Sequence, residues 1–247
     1  MRLFLAVALA ALALPTRGAE KIPVLRIYGP GGPLVPLAEC GKLFAAERKV
    51  QVRVDGGPEQ RWLEMARADG DLVFDAAEYM LTDFMRRHPG LLDPATRVSL
   101  YPQPAAILVR PGNPKGIRGL EDLARPGVRL LDVIGAGQLG LWEDLAGRKG
   151  LIPALQRNIA ASFANTAEAI AAWRDRPELD AWITFESWHH RLREDTAVVR
   201  LPEAELLLRG TPIAVTARSE QRALALAFLE FARGEACHAA FRKQGWR

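Results

Sequence analysis

Apolar positions along this chain recur with two periods, and the two alternate. Val24 to Ile27 is a short apolar run that reads as a strand, and Val50 to Val54 alternates strictly, as a half-buried strand does. Leu72-Val73-Phe74 is a third, shorter run. Between them apolar residues return at helical spacing: Leu37, Cys40, Gly41 and Phe44, then Trp62, Met65 and Ala66, then Phe84 and Met85. Strand–loop–helix units in series predict a parallel sheet with helices on its faces. The second part of the chain predicts strands at Ala105–Arg110, Val128–Val133, Leu179–Thr184 and Thr211–Thr216. Helices are expected at Ile117–Leu123, after Gly140, at Thr166–Arg174 and at Glu220–Phe241.

The punctuation between elements is the more informative feature. Tyr28 to Pro33 reads YGPGGP where the first strand hands over to a helix, and Pro33 suits a first helical turn. Asp55-Gly56-Gly57-Pro58, Asp75 to Glu78 and Gly135 to Gly140 occupy the same place in their own units. Open α/β sheets bind ligands beyond the carboxyl ends of their strands, and bare helix N-termini attract anions. A tight connector without a ligand is the alternative at each turn. Gly135 to Gly140 matches G-x-G-x-x-G only at its first two glycines. Leu141 replaces the closing one and no acidic ribose partner follows, which excludes a dinucleotide site.

Residues 1–19 stand apart. Met1-Arg2 is a short positive start, Leu3 to Leu14 is unbroken apolar chain, and Thr16-Arg17-Gly18 offers a cleavage site. This predicts a cleaved secretory signal peptide and a soluble periplasmic protein, with no lipid anchor. At 49% hydrophobic and 25% charged residues the chain is globular rather than disordered. The net charge of +4, about +2 without Arg2 and Arg17, is too small to suggest a nucleic-acid partner. Cys40 and Cys237 would meet an oxidising compartment, where either a disulfide or two buried thiols is natural.

YGPGGP, GGPEQRW (Gly56–Trp62), AEYMLTDF (Ala77–Phe84), GAGQLGLWEDLAGRKG (Gly135–Gly150) and LDAWITF (Leu179–Phe185) together resemble the accessory colonization factor family. That family's fold is similar to the type II periplasmic binding proteins, which include molybdate and sulfate receptors of ABC importers. The resemblance spans essentially the whole chain after residue 19. It implies two α/β lobes with a ligand cleft between them. The break at Pro102–Pro104 and the return strand near Thr211 divide the chain into 20–103 plus 208–247 as lobe I and 104–207 as lobe II. The implied role is a monomeric, non-catalytic receptor without a cofactor. It would capture a small oxyanion and deliver it to an ABC permease in the inner membrane.

Candidate ligand contacts follow from the turns. Gly31, Gly32, Gly57 and Gly137 permit close approach to backbone N–H groups. Gln60 and Gln138 can donate to an oxyanion, whereas Arg61 reads as a solvated arginine. Asn165 is a helix cap first and a ligand contact second. Tyr28, Phe185 and Trp188 could wall the cleft, although aromatic residues near strand ends are more often core, and Trp62 is either a ligand contact beside Gln60 or a core tryptophan. Glu78 is awkward, since a carboxylate repels an anion unless it is paired. It either turns away as a helix N-terminal acid or meets a positive or hydrogen-donating part of the ligand.

Other classes fit less well. His189-His190 lacks a spaced third ligand, and there is no H-E-x-x-H. None of Ser99, Ser162, Ser187 and Ser219 sits in a G-x-S-x-G elbow. An enzyme on this fold, such as a dehydratase or a tetrapyrrole-building transferase, would lack its catalytic side chains. A surface adhesin or sensor on the same fold, and a receptor for a small organic acid, are the remaining alternatives.

Overall fold

The computed structural model describes residues 22–247, so the expected signal peptide at 1–19 lies outside the described residues. The first three units form as their patterns predict. Strands β1 (Val24–Gly29), β2 (Gln51–Gly56) and β3 (Leu72–Phe74) are parallel, with β1 in the centre. Helices α1 (Leu34–Arg48), α2 (Glu59–Asp69) and α3 (Glu78–Arg87) connect them to each other and onward. Helix α1 buries Leu37, Cys40, Gly41 and Phe44, the positions its period selects. Gly41 lets it lie close on β2, because a Cβ there would sit 2.9 Å from Val52 Cγ1.

The long strand β4 (Val98–Val109) carries the chain into a second set of units. These are α4 (Leu120–Leu123), β5 (Leu130–Val133), a 3₁₀ turn at Ala136–Gln138, α5 (Leu141–Gly147), α6 (Ile152–Asn158), β6 (Ile159–Phe163) and α7 (Thr166–Asp175). Then come β7 (Ala181–Phe185), α8 (Glu186–Arg191), β8 (Ala197–Arg200) and the return strand β9 (Leu208–Val215). Strands β5, β6 and β7 are mutually parallel in the order β6-β5-β7.

The sheet is continuous through β4, but the strand serves two assemblies. Its first half pairs with β9, which pairs in turn with β3. Its second half pairs with β7 and β8. The register slips between Leu100 and Gln103, around Pro102, which has no N–H to donate. Each side has cores of its own. Leu25, Ile27, Phe44, Phe74, Ile213 and Phe228 pack on one face of the first assembly, and Trp62, Val73, Leu81 and Phe84 on the other. Ile107, Leu145, Leu155 and Ile183 form one core of the second, and Leu108, Leu131, Trp173 and Trp182 the other.

The helix expected at Glu220–Phe241 is two helices, α9 (Arg222–Ala232) and α10 (Glu235–Arg242). Gly234 breaks the run in an extended conformation and caps α10. The break returns α10 onto α1, where Cys237 and Cys40 form a disulfide with Cα atoms 4.9 Å apart. No helix among the described residues is long and apolar enough to cross a membrane.

Candidate functional site

Six turns follow the carboxyl ends of parallel strands, three in each assembly. From the first come the turns after β1, β2 and β3, each opening a helix. From the second come the Gly135–Gly140 turn, the Asn165 cap of α7 and the start of α8. The glycines in these turns differ in purpose. A Cβ at Gly29 would lie 2.5 Å from Phe74 O, and one at Gly56 would lie 2.8 Å from Gly29 O, so these two are needed for strand packing. Gly31 has open space around it, and Gly57 has φ +138, a conformation that favours glycine. A Cβ at Gly137 would lie 3.3 Å from both Cβ and O of Ala76, so the two walls touch there.

Several side chains bridge the walls. Tyr79 Oη donates to Ala136 O, and Ala136 holds φ +51, strained for a residue with a side chain. Arg209 of β9 lies over the Tyr79 ring at 5.1 Å and pairs with Asp144 at 3.2 Å, while its Nε is buried without a partner. Gln103 on β4 donates to Ala76 O (3.3 Å) and accepts from Ser187 Oγ (3.0 Å). Arg191, at the end of α8, donates from Nη1 to Gly31 O (2.9 Å) and from Nη2 to Gly32 O (2.5 Å), and stacks over Trp188 at 4.8 Å. Burial alone pulls its guanidinium below the ordinary value; no carboxylate among the described residues compensates it.

The candidate residues fall into distinct groups. Gly31 and Gly32 meet Arg191 through their carbonyls. Gly137 faces Ala76, and Gln60 is exposed in the first turn of α2, just after Gly57. Glu78 lies in the first turn of α3 and accepts from Arg97 at 2.7 Å, so its charge is paired. Gln138 is buried and used at both ends: Nε2 donates to Thr166 Oγ1 (3.0 Å), and Oε1 accepts from Trp182 Nε1 (2.9 Å). Asn165 Oδ1 accepts the N–H of Glu168, as a cap does. The three aromatic side chains are in cores. Tyr28 reaches back to Asp69 (3.0 Å), and burial pushes its hydroxyl up to about 12. Trp62 donates to Gly57 O (3.1 Å) and lies 5.5 Å from Phe84, and Phe185 is fully buried beside Ile183.

Two side chains at the cleft carry no sequence expectation. Thr184 is wholly buried and its Oγ1 has no hydrogen-bond partner. It lies on the same face of β7 as Trp182, two residues nearer the strand's carboxyl end, beyond the Gln138 contact. A buried hydroxyl left unpaired costs roughly 1–3 kcal/mol and calls for an explanation. Its signal in the sequence is a polar residue inside the apolar block Leu179–Phe185. Asp75, at the β3–α3 turn, is the other. Burial raises its carboxyl to about 7, against the opposing N–H of Ala76 at 2.9 Å, and the charge of Glu59 adds to the rise.

A separate groove of about 500 Å³ opens at the opposite edge of the first sheet, lined by Arg67, His88, Arg218 and Gln221 among others. Many of its polar groups are paired internally: Arg26 with Asp69, Asp71 with Ser219, and His88 with Glu59. It lies away from the strand carboxyl ends and takes no part in the cleft.

A family model described as bacterial extracellular solute-binding protein matches residues 25–247. A comparison with curated proteins returns no match. Among solved structures, Peb3 from Campylobacter jejuni is similar at 28% identity, with a TM-score of 0.81 over 90% of this chain and 99% of that one. PEB3 solved with L-phospholactate bound gives 0.82 at the same identity and coverage. The sulfate-binding protein SubI from Mycobacterium tuberculosis shares the fold at 21% identity, with a TM-score of 0.73 over 91% of this chain and 86% of that one.

Proposed function

Because the chain belongs to the bacterial extracellular solute-binding family and shares its fold with periplasmic receptors such as the sulfate-binding SubI, we propose that it is an exported, non-catalytic receptor. It captures a small oxyanion in the cleft and hands it to an ABC permease. The observation that carries this reading is the unpartnered, fully buried Thr184 hydroxyl at the end of β7. A hydroxyl donor set among helix N-termini suits an anion held by neutral groups. In this reading the backbone at Gly31, Gly32, Gly57 and Gly137 and the side chains of Thr184 and Gln60 approach the ligand. Gln138, Asn165, Tyr28, Trp62 and Phe185 shape the walls from behind, and Glu78 stays paired to Arg97.

The lobes are assigned as 20–103 with 208–247, and 104–207. The separate cores on either side of β4 support that division. Residues 1–19 are assigned as the leader that exports the chain. A second reading, a small organic acid bearing phosphate or carboxylate, is favoured by the uncompensated Arg191 guanidinium and by the L-phospholactate bound to PEB3. A thermal-shift screen of sulfate, molybdate, L-phospholactate and neutral or amino-bearing solutes separates these readings. Stabilisation by anions is the expected result. Stabilisation only by neutral or cationic solutes would overturn the anion reading and bring Glu78 back as a contact.

A further inference from the structure

Arg191 presents a mismatch between hydrogen bonding and charge. Its two terminal nitrogens are satisfied by the carbonyls of Gly31 and Gly32, on the opposite wall, and its planar face rests on Trp188. Carbonyl oxygens accept its hydrogen bonds but do not neutralise a full positive charge. Among the described residues, two other arginines that reach between the assemblies have carboxylates: Arg209 has Asp144, and Arg247, beside the crossing strands, has Glu203. Burying a guanidinium without a counter-charge is costly, and the same cation is strongly favoured once an anion shares its low-dielectric surroundings.

The carbonyls it holds belong to the YGPGGP turn, immediately before the N-terminus of α1. Two consequences follow from one contact. Closing the walls brings the guanidinium onto the turn, and the cleft between them is then short of one negative charge. A ligand that supplies that charge stabilises the closed contact, and the closed contact in turn raises affinity for that ligand, by the reciprocity of linked equilibria.

We infer that Arg191 is a latch across the cleft that couples the ligand's negative charge to lobe closure: it fastens α8 to the Gly31–Gly32 carbonyls, and an anion beside it tightens that contact. This rests on the reading of the cleft as an anion site, and it adds a named residue, a direction of coupling and a ligand requirement. Binding through Thr184 and backbone N–H groups alone would not require Arg191 to sense the ligand.

The test uses the full mature chain with spin labels at Glu47→Cys in the first lobe and Arg157→Cys in the second, both exposed. The two native cysteines are tied in a disulfide and leave the labels selective. Inter-label distances are measured without ligand, with sulfate and with L-phospholactate, in the parent chain and in Arg191→Gln and Arg191→Lys. Affinities are measured by calorimetry on the unlabelled chains. The parent is expected to shorten its inter-lobe distance on adding a bound anion. Arg191→Gln is expected to bind about 100-fold more weakly and to show a broader, longer distance distribution with or without anion. Arg191→Lys is expected to recover part of the affinity and less of the closure, because an ammonium lacks the fork that spans two carbonyls.

An Arg191→Gln chain with unchanged affinity and unchanged distances would overturn the latch. Weakened binding with unchanged closure would also overturn it, since Arg191 would then be a contact and not a coupler. If the parent binds neither anion, the anion reading itself fails. The ligand-free distances still decide whether Arg191 holds the lobes together, and equal distances in parent and Arg191→Gln would reject that as well. Far-ultraviolet circular dichroism of each variant separates these outcomes from misfolding.

Discussion

Asp75 should make this protein less stable as pH rises toward neutrality, opposite to the trend set by its paired surface acids. Its carboxyl is 6% exposed, and its hydrogen bond comes from the N–H of Ala76 at 2.9 Å. Burial is the largest cause of the rise from the ordinary 3.8 to about 7. The folded chain therefore binds more protons than the unfolded chain between those values, and unfolding free energy falls with rising pH across that window. The favourable contribution is complete below 3.8 and lost as pH passes through about 7. A displacement of that size corresponds to ~4 kcal/mol.

Asp75→Asn keeps the oxygen that accepts from Ala76 and removes the charge. Its stability is expected to match the parent's at about pH 4 and to exceed it by up to ~4 kcal/mol at about pH 8. Urea unfolding of both chains across that range gives the difference, and the paired acids Asp93 and Glu121, whose carboxyls are lowered, cancel between them. Parallel stability curves at every pH would refute the reasoning, because they would mean that Asp75 does not titrate abnormally.

Thr184→Val removes an unpaired buried hydroxyl without changing shape. Unfolding midpoints should stay level or rise by about 1 kcal/mol, while calorimetry shows anion binding weakened about tenfold. Reducing the Cys40–Cys237 bond, or replacing both cysteines with Ala, opens a link across 197 positions and should cost roughly 5 kcal/mol at most on chain-entropy grounds. Thermal scans with and without reductant read it, and an unchanged melting temperature would contradict it. Gly137→Asp places a charge and added bulk where a Cβ would already lie 3.3 Å from Ala76. It should abolish anion binding with the fold retained, and equal affinity would remove this turn from the site.

The sequence revealed the layout of the cleft better than its chemistry. The turns at YGPGGP and Gly135–Gly140 announce themselves because Gly and Pro mark them, and α1 announces itself by the spacing of Leu37, Cys40 and Phe44. Strand β6 did not, because Ile159-Ala160-Ala161-Ser162-Phe163 has no alternation. Helix α8 was missed because six residues are too few to show a period, and strand β8, which pairs only with β4, has only four. Side-chain direction was the greater loss. Tyr28, Trp62 and Phe185 stand next to Gly-marked or strand-end turns but on faces that turn into cores, and register along a strand decides which way each of two neighbours points. The same parity hides Thr184. Arg191 meets carbonyls 160 and 159 positions away, a contact that no local pattern encodes. The cysteines, read as disulfide or thiols with equal ease, are joined because α10 folds back on α1 after the break at Gly234.

The most direct test of the central claim is anomalous diffraction from crystals of the mature chain soaked in molybdate or selenate. Both are tetrahedral oxyanions whose heavy atoms can be located without prior assumption. The account expects one strong peak between the Gly31–Gly32 turn and Gly137, with an oxygen within hydrogen-bonding distance of Thr184 Oγ1. A cleft without such a peak, or a peak only in the groove beside Arg67 and Arg218, would contradict it.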